Sequence, residues 1–133
     1  LGRDAVIVVD THVLIWSVKG PSRLSQAAAS AMRRERTVVV PAILFWELAM
    51  LGLRERVRFE SGYAQFVRDV LSNDRIRVQP LTPEIGLRAA GLSLNRPMDP
   101  ADQLIAATAL ELNCPLVTAD ERLKSLPGLQ TLW

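Results

Sequence analysis

Four carboxylates fall where chemistry could use them. Asp10 closes the apolar run "AVIVVD", Glu47 lies inside "PAILFWELAML", Asp102 follows Asp99 in "MDPADQLIAATAL", and Asp120 ends "PLVTAD". Each has a structural explanation when taken singly. Asp10 and Asp120 could cap helices, a role aspartate fills well. Asp99 is well placed as a cap, with Pro100 at the first helical position. Asp102, in the first turn, would gain from the helix dipole. It shares a stripe with Ile105, Ala106 and Ala109, so that explanation weakens if the stripe is buried. Glu47 is the hardest to place. It lies well inside a helix, and its neighbours at i±3 and i±4 are Ile43, Leu44, Met50 and Leu51, all apolar. A buried unpaired carboxylate is costly. Glu47 therefore needs either a buried cationic partner, such as an arginine of "RRER", or a functional cleft.

Together the four say more. Crowded carboxylates raise one another's pKa and destabilise the fold, and a divalent cation removes that repulsion. Oxygen-only ligands select a hard ion, Mg²⁺ or Mn²⁺, over zinc. His12 and Cys114 are the only residues of their types, so no zinc spacing exists. An open carboxylate site holding Mg²⁺ suits phosphodiester hydrolysis, because the ion lowers the pKa of water and polarises the phosphoryl oxygen. No protein nucleophile with an adjacent base stands out. His12 could serve as a base, but a metal makes that unnecessary. A polyanionic substrate would need basic side chains around the mouth. Arg96, beside the "DPAD" turn, is the favoured candidate, while most other arginines read as solvated surface charge. Trp16, Trp46 and Trp133 read as core or interface residues.

These residues need a frame. "AVIVVD" and "TVVV" are β-branched runs suited to central parallel strands covered on both faces. "RIRVQPL" alternates and belongs nearer an edge. "PLVTAD" and "GLQTLW" complete the strands. Between them lie helical segments: "THVLIWSVK" closed by Gly20, an Ala-rich stretch after Ser22, a helix begun by Pro41, "ESGYAQFVRDVLSN", "PEIGLRAAGLSL" capped by Thr82, "ADQLIAATALELN" and "ERLKSL". "NRPMDP" is a turn-rich break. Alternating strands and helices predict an α/β fold with a mostly parallel sheet of four to five strands and right-handed crossovers. In open α/β sheets ligands bind beyond the carboxyl ends of the strands, where Asp10 and Asp120 fall.

The chain has 133 residues, 49% hydrophobic and 23% charged, which fits one folded domain over 1–133 rather than a disordered segment. Its formal net charge of +2 does not by itself demand nucleic acid. A single cysteine excludes an intrachain disulfide and fits a reducing cytoplasm. No apolar run approaches the roughly 20 residues that span a bilayer, so no membrane association is expected. The first residue is Leu rather than Met, which fits a processed or tagged form, and the first few residues carry little weight.

"VVDTHVLIW", "VVPAILFWELAML" and "MDPADQLIAATALELNCPLVTADERL" closely resemble segments of PIN-domain proteins, above all the VapC toxins of prokaryotic toxin–antitoxin pairs. The resemblance covers nearly the whole chain, in order. It implies a three-layer α/β/α sandwich and an Mg²⁺- or Mn²⁺-dependent endoribonuclease held inactive by a cognate antitoxin. By motif it places the acidic quartet on Asp10, Glu47, Asp102 and Asp120. Asp10 and Asp102 would form the inner metal shell, with Asp120 and Glu47 as further ligands or holders of water. Asp99 matches an additional acid of the "DPxD" subgroup, and Thr11 and Thr118 match hydroxyls that support the acids. Gln103 departs from the Arg that often follows "DPxD". The apolar excess of "HVLIW" and "AILFWELAML" permits an antitoxin groove or a homodimer face. Rival readings are a non-catalytic PIN-like module, which the complete acid set opposes, and a DNA-directed metal nuclease, which the small size disfavours. A phosphorelay receiver would need an aspartate ending the third strand, where "VQP" stands instead.

Overall fold

The β-branched runs build the centre of the sheet. In the computed structural model, which describes residues 5–94 and 96–133, β1 (Val6–Val9) and β2 (Thr37–Pro41) pair in parallel with Val8 opposite Val39. Ile7, Val8, Val9, Val38, Val39 and Val40 are all buried. Successive strand residues point to opposite faces, so both faces are covered. β3 (Ile76–Gln79), β4 (Leu116–Val117) and β5 (Thr131–Leu132) complete a five-stranded parallel sheet in the order β3-β2-β1-β4-β5. β3 lies at an edge, as expected, but its burial does not alternate: the successive residues Arg77 and Val78 are both exposed. Of the turn expected at "NRPMDP", Asn95 lies outside the described residues, as do residues 1–4.

Among the described residues, seven α-helices flank the sheet to give the α/β/α sandwich: α1 (Thr11–Lys19), α2 (Gln26–Arg34), α3 (Ile43–Leu53), α4 (Tyr63–Leu71), α5 (Pro83–Leu92), α6 (Pro100–Leu112) and α7 (Glu121–Lys124). Several boundaries differ from expectation. Pro41 does not start α3. It closes β2 opposite Gln79, and the following Ala42 N–H donates to the Gln79 carbonyl at 2.9 Å. The proline, having no N–H, sits where the strand ends. α2 is capped by Ser25 rather than Ser22, which lies in a 3₁₀ turn over Pro21–Arg23. α4 begins only after Gly62, whose φ of 89° breaks the helix over residues 60–62. β4 is just two residues long, because Thr118 already turns toward the site.

Two helix ends use the same device. Asn113 ends α6 at φ 55°, and Cys114 N–H reaches back to the Ala109 carbonyl at 3.0 Å. Glu55 follows α3 at φ 57°, and Arg56 N–H reaches the Leu51 carbonyl at 2.9 Å. Both are Schellman closures. The second holds Arg54 and Arg56 in a defined turn.

α3 carries Glu47, and its anchorage is one-sided. Leu44 and Leu48 are fully buried, whereas Leu53 is 80% exposed. Leu48→Ala should therefore cost about 2–5 kcal/mol, and Leu53→Ala no more than about 0.5 kcal/mol. Denaturant unfolding of the two variants checks the contrast.

Candidate active site

The strand order changes direction beside β1: the chain runs outward to β2 and β3, then returns to add β4 on the other side. Crevices at such switch points collect ligands. Asp10 leaves β1 there and Asp120 lies three residues beyond β4. Helices α1, α6 and α7 all begin at this edge, on Asp10, Asp99 and Asp120 respectively. Each aspartate accepts backbone N–H groups of its own helix: Asp10 from Val13 at 3.0 Å, Asp99 from Ala101 at 2.9 Å, Asp120 from Arg122 at 2.8 Å. The capping reading is thus correct for all three, and the positive helix ends favour their charge.

Glu47 reaches the same edge from α3. Among the described residues no arginine pairs with it. Its partner is Thr11, whose buried hydroxyl donates to Glu47 Oε1. Thr118 is fully buried, donates to Asp10 Oδ2 and accepts the Asp120 N–H at 3.0 Å. One threonine thereby ties together two of the acids.

The acids act on one another. Burial, more than any other influence, raises the pKa of Asp10, and the nearby Asp120 adds to it. Burial likewise raises Glu47, with Asp99 and Asp10 contributing. Asp102 is pushed up to about 6, first by burial and then by Asp99, Asp120 and Glu47. Asp120 behaves differently. Burial pushes it up, but hydrogen bonds and charge from Arg122 outweigh that and leave it below its ordinary value.

Arg122 joins the acidic cluster, a contact that the spacing of the acids did not predict. Its guanidinium lies 3.3 Å from Asp120 Oδ2 and 3.9 Å from Asp102 Oδ2, although the side chain is 82% exposed. Its place in the first turn of a short helix, two positions after a strand-end aspartate, was the available signal. Arg96 lines a depression of about 340 Å³ together with Asp99, Asp102 and Arg122. Trp16 and Trp133 pack together, ring centroids 5.8 Å apart, whereas Trp46 is 58% exposed and so lies outside the core, the first of the two places expected for it.

The donor set suits a hard divalent ion: carboxylate oxygens, half-buried, and mutually repelling. Among the described residues, no three acidic, histidine or cysteine groups stand close enough to hold an ion as they are arranged. Asp120 is turned to Arg122. Asp102 accepts no hydrogen bond among the described residues, and the Arg122 guanidinium stands 3.9 Å from its Oδ2.

A PIN-domain family model matches residues 7–129. Ribonuclease VapC22 of Mycobacterium tuberculosis is 36% identical over 129 residues, covering 96% of this chain and 98% of that protein. The DNA-bound VapBC of Salmonella typhimurium superposes with a TM-score of 0.72 at 18% identity, covering 94% of this chain and 95% of that one. VapC20 of Mycobacterium tuberculosis, a sarcin–ricin loop cleaving toxin, gives 0.66 at 16% identity, covering 91% and 95%. These two likenesses show the shared fold.

The raised pKa of Asp102 has a consequence for stability. The folded chain keeps a proton that the unfolded chain releases between 3.8 and about 6. Stability of the metal-free protein should therefore fall as pH rises through that window. Asp10 and Glu47 act in the same direction. Asp120, being lowered, acts only below 3.8. Asp102→Asn removes the largest of these dependences. In chelator, its melting temperature should exceed the parent's near neutral pH and converge with it below about pH 4. Parallel thermal unfolding across pH checks this, and a constant offset would show that the acids are not crowded.

Proposed function

The chain belongs to the PIN-domain family, and from that premise we propose that it is a divalent-metal-dependent endoribonuclease, the toxin of a toxin–antitoxin pair. The observation that carries this is the convergence of Asp10, Glu47, Asp102 and Asp120, with Asp99, at the switch point of the sheet. They arrive there from four separate helix starts or faces. The name of the 36%-identical relative, a ribonuclease, supports the choice of RNA.

Asp10 and Asp102 are the residues that would hold Mg²⁺ or Mn²⁺, with Glu47 and Asp120 beside them. When bound, the ion supplies activated water and offsets charge on the phosphate oxygens. Thr118 orients Asp10, and Thr11 orients Glu47. Such supports commonly affect metal sites by about 10–100-fold. Asp99 holds the start of α6 and so sets where Asp102 points. Arg122 and Arg96 stand where substrate phosphate would approach, and Arg122 must release Asp120 for that carboxylate to reach the ion.

Residues 1–133 are taken as one nuclease domain acting in the cytoplasm, where a lone thiol stays reduced. No described helix is long and apolar enough to cross a membrane. Solved structures of the same fold include toxin–antitoxin complexes, which supports a cognate antitoxin as partner. Leu53, Leu81, Leu87 and Leu94 are each at least 60% exposed. They offer apolar area for that partner or for a homodimer.

The purified chain should cleave single-stranded RNA with Mg²⁺ or Mn²⁺ and stop in chelator. Asp10→Asn and Asp102→Asn should each lower cleavage by more than roughly 100-fold, since even outer partners of a metal site cost about 10–100-fold. Glu47→Gln should lose activity while keeping or gaining stability, because a buried charge is removed. Cleavage that survives both aspartate substitutions, or ignores chelator, overturns the reading.

A further inference from the structure

Two depressions meet at the carboxylates, and Asp99 lines both. The one containing Arg96 and Arg122 is described above. The other, about 200 Å³, lies between α3 and the start of α6 and is lined by Trp46, Glu47, Arg54, Arg56 and Asp99 among others. It is smaller than the roughly 300 Å³ at which pockets for drug-sized ligands begin, a scale for one planar ring.

Its composition is unusual for a face that merely meets water. Trp46 is 58% exposed on the helix that carries Glu47. The other two tryptophans satisfy each other, while Trp46 has no aromatic partner among the described residues. Arg54 and Arg56 are exposed and have no carboxylate partner among the described residues. Both are held in the turn closed by Arg56 N–H on Leu51. An exposed indole beside unpaired guanidinium groups matches how proteins hold single-stranded nucleic acid: aromatic faces stack bases and cations follow phosphates. A protein partner fits less well, since the buried centres of protein interfaces are depleted in charge, and charged groups line this depression on both sides.

We infer that Trp46, Arg54 and Arg56 form a nucleotide subsite beside the scissile phosphate, with one RNA base stacked on Trp46 and an adjoining phosphate held by the two arginines. This rests on the ribonuclease reading of the neighbouring carboxylates.

The test uses a fluorescein-labelled single-stranded RNA of mixed sequence, bound to the full chain carrying Asp10→Asn to suppress cleavage. Adding Trp46→Ala should weaken binding by about 5- to 100-fold, the range of losing one base stack, and Trp46→Phe should restore most of it. Replacing Arg54 and Arg56 with Ala should flatten the slope of log K against log salt by about 0.7 per lost phosphate contact. The same substitutions in the otherwise unmodified chain should reduce RNA cleavage. Binding and salt slope unchanged in all three variants, with the unmodified chain still cleaving RNA, would overturn the subsite and leave the ribonuclease reading standing. Loss of self-association in sedimentation with RNA binding intact would overturn it in favour of a protein face. An unmodified chain that neither binds nor cleaves RNA would remove both.

Discussion

Like charges crowded into a half-buried cleft repel, and the carboxyl edge of the sheet is arranged around that cost. Five acidic side chains meet there, and burial alone disfavours the charge on most of them. The fold offsets this with fixed dipoles and hydroxyls rather than with buried cations. Three helices start on aspartates, so their unpaired N–H groups point at the negative charge. Thr11 and Thr118, both buried, spend their hydroxyl protons on Glu47 and Asp10. None of these supports cancels the net charge of the cluster, which leaves a demand for positive charge that a proton, as on Asp102 with its raised pKa, meets in part and a cation could meet further.

That demand explains Arg122. Its side chain is mostly in solvent, so its pairs with Asp120 and Asp102 are worth little as stabilising salt bridges. It takes the position of a counter-ion without being anchored there. An exposed arginine can leave at small cost, which is compatible with the proposed metal and substrate taking its place. A buried lysine or arginine in the same place would have stabilised the cluster more and would have blocked it.

The layout of the fold was legible because its signals are local. Uniform β-branched runs mark strands covered on both faces, Thr82 and Asn113 mark the ends of α5 and α6, and the alternation in "RIRVQPL" marks an edge. The misplacements share a cause. Pro41 and Ser22 each suit a helix start by propensity, but a competing structure holds each of them: Pro41 the ladder to β3, and Ser22 a 3₁₀ turn begun by Pro21. The acids were legible as a set, because each ends or interrupts an apolar run. Their partners were not. Thr11 lies 36 residues from Glu47 and Thr118 lies 108 from Asp10, so no spacing rule connects them. The exposure of Trp46 was hidden for a related reason. An apolar helix with almost no polar face reads as buried all round, and only the packing against α1, α4 and α6 shows which side is left open.

Capping and catalysis first read as competing explanations for the same aspartates. The observed caps are compatible with the proposed catalytic role. A carboxylate has two oxygens and about four acceptor positions. Asp10 gives Oδ1 to the start of α1 and Oδ2 to Thr118, and each oxygen keeps a further lone pair. The cap fixes the carboxylate in one orientation, at the end of a buried strand, before any ligand arrives. Preorganisation of this kind is what an electrostatic site needs, because groups already in place need no rearrangement during the reaction. Glu47 is held differently, by a hydroxyl on a neighbouring helix and by the apolar body of α3. The hydrophobic surroundings that made it look misplaced are therefore its support, as the caps are for the aspartates.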